Sequence, residues 1–138
     1  MFLLDTNVIS EMAKKQPNPG VIEKIKKHQH EISTAAPVWH ELQFGCFRLP
    51  FSKQRNYLES FLENVIRQNI DILPYEEKAA QWHALNRARL SAEGKTPSFV
   101  DGQIAGIAYT NGLILVTRNM SDFRAFPDLQ IRNWHRSV

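Results

Sequence analysis

Short apolar runs recur along this chain with longer helical stretches between them, and this alternation restricts the possible folds most strongly. The runs are too short for stable helices, which indicates strands, and they cover residues 2–4, 31–34, 70–73, 113–117 and 130–134. The element order is then β-α-α-β-α-α-β-α-α-β-β. Strands separated by helices pair in parallel, so we predict an α/β fold of three layers, α/β/α, with a mostly parallel central sheet of about five short strands.

Length and composition favour one domain over residues 1–138, because 138 residues with 43% hydrophobic content can bury a single sizeable core. The lone cysteine, Cys46, has no partner for an internal disulfide, and we expect it to be a small buried residue in a reducing compartment. The first residues lack the features of a secretory leader, and no apolar run approaches the roughly 20 residues that span a bilayer. We therefore expect a cytoplasmic protein without membrane contact. The net charge of +3 is compatible with a polyanionic partner.

Helix boundaries follow from capping residues. Asn18 followed by Pro19 predicts a helix start, and Gly94 predicts the end of the helix that begins near residue 77. Pro50 separates a helix over residues 39–47 from another over about 52–67.

Two of the predicted helices have faces that the sequence pattern defines. In the helix near residue 77, Ala79, Trp82 and Leu85 are expected to share one apolar face. The other helix follows Thr96 or Ser98, either of which can be its N-cap. We expect it to be slender and to pack close to the sheet, because its residues are small or apolar: Gly102, Ile104, Ala105, Gly106, Ile107 and Ala108.

The segment "FLLDTN" places Asp5 directly after the first strand, at the edge where open parallel sheets bind ligands. Thr6 and Asn7 come next, and we expect either to cap a helix starting at Val8 while the other, or both, holds the carboxylate. A plain role for Asp5 as a helix cap or turn residue is the alternative.

Three further acids are predicted at the same edge. Glu41 lies one turn into a helix that begins near Pro37, and Asp101 lies in the first turn of a later helix, where the helix dipole alone also favours an acid. The run "LILVTRNMSDF" ends in Thr117, Arg118 and Asn119 and then presents Asp122.

Four converging carboxylates need a positive charge to offset their repulsion, and Mg²⁺ or Mn²⁺ prefers such oxygen ligands. A zinc HExxH motif fails because Phe44 stands where its second histidine belongs, and neither GxGxxG nor a phosphate-binding P-loop is present. The remaining histidines lack metal-ligand spacing, and we expect surface or cap positions for His28, His30, His83 and His135.

These residues resemble the PIN-domain ribonucleases, in particular VapC and FitB type toxins of toxin-antitoxin pairs. The resemblance rests on "LLDTNVISE", Glu41, "DGQIAGIA" and "LVTRNMSDF", in that order over nearly the whole chain. It implies a PIN-like fold and an endoribonuclease that depends on Mg²⁺, for which Mn²⁺ can substitute, and that leaves 5′-phosphate and 3′-hydroxyl ends. Gln103 departs from the apolar residue common at its position, which affects packing more than chemistry.

The resemblance also implies the roles of individual residues. The metal-binding and catalytic acids would be Asp5, Glu41, Asp101 and Asp122, with Thr6, Asn7, Thr117 and Asn119 as their support. Cations must also offset the acidic site if RNA is to approach, and the candidates are Arg118, Lys95, Arg87 and Arg89.

Partners are implied in the same way. They are an RNA substrate, such as a transfer RNA or another structured RNA, a second copy of the chain in a homodimer, and a VapB or FitA like antitoxin that alone contacts operator DNA. The antitoxin would lie in a groove lined from residues 8–12 and 57–66. Two alternatives stay open, a structure-specific, metal-dependent DNA nuclease and a non-catalytic module acting in a DNA-bound regulatory complex.

Overall fold

In the computed structural model, which describes residues 1–137, five strands form one sheet: β1 (Phe2–Leu4), β2 (Ile32–Ala35), β3 (Asp71–Leu73), β4 (Ile114–Val116) and β5 (Ile131–Arg132). Their order across the sheet is β3-β2-β1-β4-β5, and each neighbouring pair is parallel. Each strand overlaps its predicted run. The predicted parallel sheet is confirmed.

Helices connect these strands: α1 (Thr6–Met12), α2 (Pro19–Lys27), α3 (Ala36–Phe47), α4 (Lys53–Ser60), α5 (Arg67–Asn69), α6 (Glu77–Ala92) and α7 (Phe99–Thr110). A π-helical segment, Phe61–Ile66, joins α4 to α5, and a 3₁₀ turn, Met120–Asp122, follows β4. The helix predicted over residues 52–67 is therefore one helical stretch with a wider turn in its middle.

The sheet is covered on both faces. Successive strand residues point to opposite faces, and Leu3, Leu4, Leu115 and Val116 all have no exposed surface. The connections from β1 to β2 to β3 advance in one direction, and the connection through α6 and α7 returns to β4. Right-handed crossovers in opposite directions place helices on opposite faces, so the three-layer prediction is confirmed.

The predicted helix ends are confirmed where a capping bond can be seen. Asn18 accepts a bond from the backbone N–H of Gly20 (2.9 Å), and Ser98, one of two predicted candidates, caps α7. Gly94 has a φ of 71°, and the N–H of Lys95 donates to the carbonyl of Leu90 (2.8 Å). This is the bonding expected of a glycine that ends a helix.

The predicted apolar face of α6 is wrong at Leu85, which is 70% exposed. The buried stripe instead runs through Ala79, His83, Asn86 and Leu90. Positions i, i+3 and i+6 drift around a helix of 3.6 residues per turn, whereas i, i+4, i+7 and i+11 stay on one side. Two polar residues therefore complete the buried face.

Gly102 and Gly106 allow a close approach, but to α6 rather than to the sheet. A Cβ at Gly102 would lie 1.9 Å from Nε2 of His83, and one at Gly106 would lie 2.8 Å from the carbonyl oxygen of Ala79. The helix itself packs against β4 and β2, as predicted, while its two glycines lie against α6. The small side chains are needed where two helices, rather than a helix and a strand, meet.

Two histidines expected at the surface are buried. His83 is 1% exposed, and Nδ1 of its ring lies 2.8 Å from the hydroxyl of Tyr75. The His135 side chain lies against buried Glu11, with Nε2 3.2 Å from Oε1. In each case a distant polar partner makes burial possible. Cys46 is buried, as predicted.

Residues 1–137 include no helix with both the length and the apolar character required to cross a lipid bilayer.

We predict that Gly102→Ala lowers the free energy of unfolding by about 1–3 kcal/mol, because the new methyl group overlaps the buried His83 ring. Gly45→Ala is the matched control. Gly45 is also helical, but a Cβ there meets no atom within 4 Å, so this change should stabilise by about 0.5–1 kcal/mol. Urea unfolding of both variants gives the comparison, and equal effects would contradict the proposed packing.

Candidate active site

The site is built where β1 and β4 end side by side. Their parallel register pairs Leu4 with Val116, so Asp5 and Thr117 leave the sheet at the same edge. The N–H of Asp5 donates to the carbonyl of Val116 (3.0 Å), which extends the pairing by one residue. On either side of this pair the helical connections run in opposite directions, and such a switch point leaves a crevice at the carboxyl edge.

The carboxylate of Asp5 is held by three donors. Its Oδ1 accepts a bond from the N–H of Thr6 (2.8 Å), while Oδ2 accepts bonds from Oγ1 of Thr117 (2.8 Å) and Nδ2 of Asn7 (3.3 Å). Asp5 itself is the N-cap of α1, so the prediction that Thr6 or Asn7 caps a helix starting at Val8 is wrong. The helix begins earlier because the acid supplies its cap. Its capping role and its place in the site coexist.

Asn7 and Thr117 connect this acid to the chain after β4. The Nδ2 of Asn7 also donates to Oγ1 of Thr117 (3.2 Å), and its Oδ1 accepts the backbone N–H of Arg118 (2.9 Å). The backbone N–H of Asn119 donates to the Thr117 hydroxyl (3.0 Å). Both polar atoms of the Asn7 side-chain amide and the Thr117 hydroxyl are thus used in fixing Asp5 against β4.

The other predicted acids approach from three separate elements. Oε2 of Glu41, on α3, accepts a 2.6 Å bond from the hydroxyl of Thr6. Asp101 lies in the first turn of α7, where its N–H donates to Oγ of the Ser98 cap (3.1 Å). Asp122 is exposed at the end of the 3₁₀ turn after β4.

Electrostatics link the four acids into one cluster. Burial raises the pKa of Asp5, and the nearby charges of Asp101 and Glu41 raise it further against the bonds from Thr117 and Thr6. Burial also raises the pKa of Asp101, with the charges of Asp122 and Glu41 adding to it and a bond from Ser98 opposing it. Their mutual repulsion shows that the acids lie within electrostatic range of one another.

The donor set suits a hard divalent cation, since it consists of carboxylate and hydroxyl oxygens without histidine or thiolate. A bound cation would also relieve the repulsion that raises the pKa of Asp5 and of Asp101. Among residues 1–137, however, no three acidic, histidine or cysteine side chains are grouped closely enough to hold a metal ion as they stand. Binding would therefore require the exposed acids to move inward.

The predicted RNA-binding cations differ in their surroundings. Within residues 1–137 the exposed side chain of Arg118 forms no ion pair, and its backbone is tied to Asn7 beside the acids. Arg87 donates to the carbonyl of Pro97 (3.0 Å), and Arg89 lies 3.7 Å from the carboxylate of Glu93. Lys95 is exposed. Arg87 and Arg89 are thus engaged locally, while Arg118 and Lys95 are available.

One groove extends from the acids between α1 and α3. This α1–α3 groove has a volume of about 360 Å³ and includes Thr6 and Glu41 in its lining. The rest of the lining comes from α1, α3, α4 and the π segment: Ser10, Ala13, Leu42, Gly45, Cys46, Arg48, Leu58, Phe61 and Leu62. The predicted helices therefore line the groove, but Val8 and Ile9 are fully buried core residues.

A second pocket lies between α3 and α7, the helices that carry Glu41 and Asp101. This α3–α7 pocket, also about 360 Å³, is lined by Ala36, Pro37, His40, Tyr75, Val100 and Gln103. Sequence reasoning did not identify Tyr75 or His40 as lining residues. No local pattern marks Tyr75, because its position depends on the buried partner His83.

Comparisons with known proteins give consistent results. Residues 2–129 match the PIN domain family. The chain is 33% identical to VapC ribonuclease Y4jK of Sinorhizobium fredii, covering 91% of each protein, and 30% identical to the tRNA(fMet)-specific endonuclease VapC of Shigella flexneri, covering 96% of this chain and 97% of the relative. A solved structure of FitAB bound to an IR36 DNA fragment superposes with a TM-score of 0.89 at 32% identity, covering 100% of this chain and 99% of that one.

We predict that, in the metal-free protein, Asp5 and Asp101 contribute a loss of stability as the pH rises above about 4, near the ordinary carboxyl pKa of 3.8. The raised pKa values of Asp5 and Asp101 mean that the folded state holds these protons more tightly than the unfolded chain, so the stabilisation is full at low pH and lost above the raised values. Asp101→Asn should flatten this dependence. Asp71→Asn, at the amino end of β3, should leave this pH dependence unchanged. Unfolding of both variants, measured between pH 3 and 8, tests the difference.

Proposed function

Because the chain belongs to the PIN domain family, on the branch of the VapC ribonucleases and FitB toxins, we propose that it is a metal-dependent endoribonuclease toxin with a cognate antitoxin. The observation that carries this proposal is the single cluster of Asp5, Glu41, Asp101 and Asp122 at the switch point of the sheet. Carboxylates that repel one another are typical of functional sites. These four lie at the carboxyl edge of a parallel sheet, where ligands commonly bind.

Asp5 and Asp101 would hold Mg²⁺ or Mn²⁺, and Glu41 and Asp122 would complete the site. A bound cation would lower the pKa of the attacking water, so that it gives up its proton more readily, and would offset negative charge on the phosphate.

The chain's own residues position these groups. Thr117, Asn7 and the N–H of Thr6 fix both oxygens of Asp5, so this carboxylate cannot turn away from the crevice. The hydroxyl of Thr6 occupies one oxygen of Glu41. The other oxygen of Glu41 is left to orient the attacking water and to accept its proton.

Arg118 is the cation best placed to bind the RNA backbone, since its main chain is fixed beside Asp5 through Asn7 and its side chain is exposed. Lys95 would contribute from the loop before α7. We propose a structured RNA such as a transfer RNA as the target. The name of the Shigella relative, a tRNA(fMet)-specific endonuclease, supports this choice.

The α1–α3 groove would receive the antitoxin. It opens directly onto Thr6 and Glu41, so a segment lying in it would block the acids. Beyond it, Phe44, Phe47 and Phe51 are 57%, 58% and 86% exposed, an apolar surface that a partner protein would cover. We propose that operator DNA is reached only through this antitoxin, and that the toxin acts as a cytoplasmic homodimer.

We predict that purified, antitoxin-free protein cuts total cellular RNA at discrete positions in Mg²⁺, and that Asp101→Asn reduces the rate by about 100-fold or more. A lost ligand should cost no less than a lost supporting residue, for which 10–100-fold is usual. Sequencing of the fragment ends gives the cleavage sites. Cleavage that continues undiminished in excess chelator would contradict the metal role, and cleavage of duplex DNA alone would contradict the ribonuclease.

We predict that Thr117→Val weakens Mg²⁺ binding or cleavage by roughly 10–100-fold, because Asp5 loses a 2.8 Å bond that orients it. Thr34→Val is the matched control. Thr34 is equally buried, but its hydroxyl donates to the backbone carbonyl of Leu4 (2.7 Å) and touches no acid. Both variants should lose about 1–3 kcal/mol of stability. In thermal melts across an Mg²⁺ titration, only Thr117→Val should require a higher Mg²⁺ concentration than the wild type for the same stabilisation. An equal requirement in Thr34→Val would mean that the effect comes from lost stability and not from the orientation of Asp5.

A further inference from the structure

The α3–α7 pocket is lined from the same two helices that carry Glu41 and Asp101. His40 immediately precedes Glu41 on α3, and Val100 and Gln103 flank Asp101 on α7. A phosphodiester held at the acids would therefore have this pocket next to it. Its volume of about 360 Å³ is in the range of pockets that bind small aromatic ligands, roughly 300–1,000 Å³.

An aromatic ring in a fixed orientation forms one wall of the pocket. The hydroxyl of Tyr75 lies 2.8 Å from Nδ1 of the fully buried His83, and the two rings meet edge to face with centroids 6.0 Å apart. The His83 ring in turn packs directly on Gly102, in the space that a side chain there would occupy. The ring of Tyr75 is thus held in place before any ligand arrives, and nucleobases stack on such rings.

Two polar side chains in the lining have unused hydrogen-bonding capacity. Within residues 1–137, neither the Gln103 amide nor the His40 ring forms a hydrogen bond, although Gln103 is half-buried. A carboxamide offers one acceptor and two donors, and a neutral imidazole offers one of each. The edge of an unpaired base presents the complementary pattern.

We propose that the α3–α7 pocket binds a nucleobase adjoining the cleaved phosphodiester of the RNA, with Tyr75 as the stacking wall and with Gln103 and His40 reading the edge of the base. This inference rests on the proposed ribonuclease function and adds a specificity-determining site to it. The base must be unpaired or turned out of its helix, because an edge engaged in pairing cannot contact Gln103. The preferred targets are therefore loops and single-stranded segments.

The first test measures base preference. Wild-type protein, Gln103→Leu and His40→Ala are incubated in Mg²⁺ with short single-stranded RNAs that vary at each position around the cut. Gln103→Leu keeps the volume of the side chain but removes its amide. At one position around the cut, we therefore expect it to lower cleavage of RNAs with the preferred base about tenfold and to leave cleavage of RNAs with the other bases unchanged. Gln81→Leu, at an exposed glutamine of α6 outside the pocket, is the matched control.

The second measurement does not depend on cleavage. In the Asp101→Asn variant, RNA carrying 4-thiouridine at single positions around the cut is crosslinked by light and the modified residue is found by mass spectrometry. Crosslinks to Tyr75 or His40 from one position are expected. Crosslinks confined to other surfaces would overturn the base site.

The outcomes separate the two proposals. If wild-type protein cuts RNA but Gln103→Leu retains its full base preference, the base site is wrong and the ribonuclease stands. If wild-type protein cuts no RNA, the ribonuclease fails, and the crosslinks alone decide whether this pocket takes a base.

Discussion

The bond from the Thr117 hydroxyl to the Asp5 carboxylate is the interaction on which the site depends. It joins residues 112 positions apart, and it can form only when β4 lies parallel to β1 in the observed register. Burying a carboxylate is costly, and three donors offset only part of that cost, because the pKa of Asp5 remains raised. The fold therefore keeps a destabilising charge at a defined place, which is the usual sign of a functional site rather than of a structural one.

The packing of α6 against α7 sets the position of the second central acid. Gly102 follows Asp101 directly and accommodates the His83 ring, and Gly106 lies against the backbone of Ala79 one turn later. A change in this helix contact would shift the first turn of α7 and Asp101 with it. The same histidine holds Tyr75 at the pocket beside the acids. One buried contact between helices thus influences both the acid cluster and the surface next to it.

The sequence predicted the elements better than the contacts between them. Strand runs and capping residues are local signals, so β1 to β5 and the caps Asn18, Gly94 and Ser98 could be predicted. The four acids could be predicted to converge because parallel strands share a carboxyl edge. The burial of the His83 and His135 side chains could not, since a polar side chain is buried only where a partner meets it, as Tyr75 and Glu11 do for these two rings. The π segment and the lining of the α3–α7 pocket depend on tertiary packing in the same way.

The sheet order also determines when the site can form during translation. Strand β1 and Asp5 directly after it are made first, but the neighbouring strand β4 and the residues Thr117, Asn119 and Asp122 come more than a hundred residues later. A nascent chain whose β4 is still inside the ribosome tunnel has Asp5 without its orienting hydroxyl and the cluster without its fourth acid. Because the central strand waits for a late neighbour, the site of the proposed ribonuclease is complete only after most of the chain has been made.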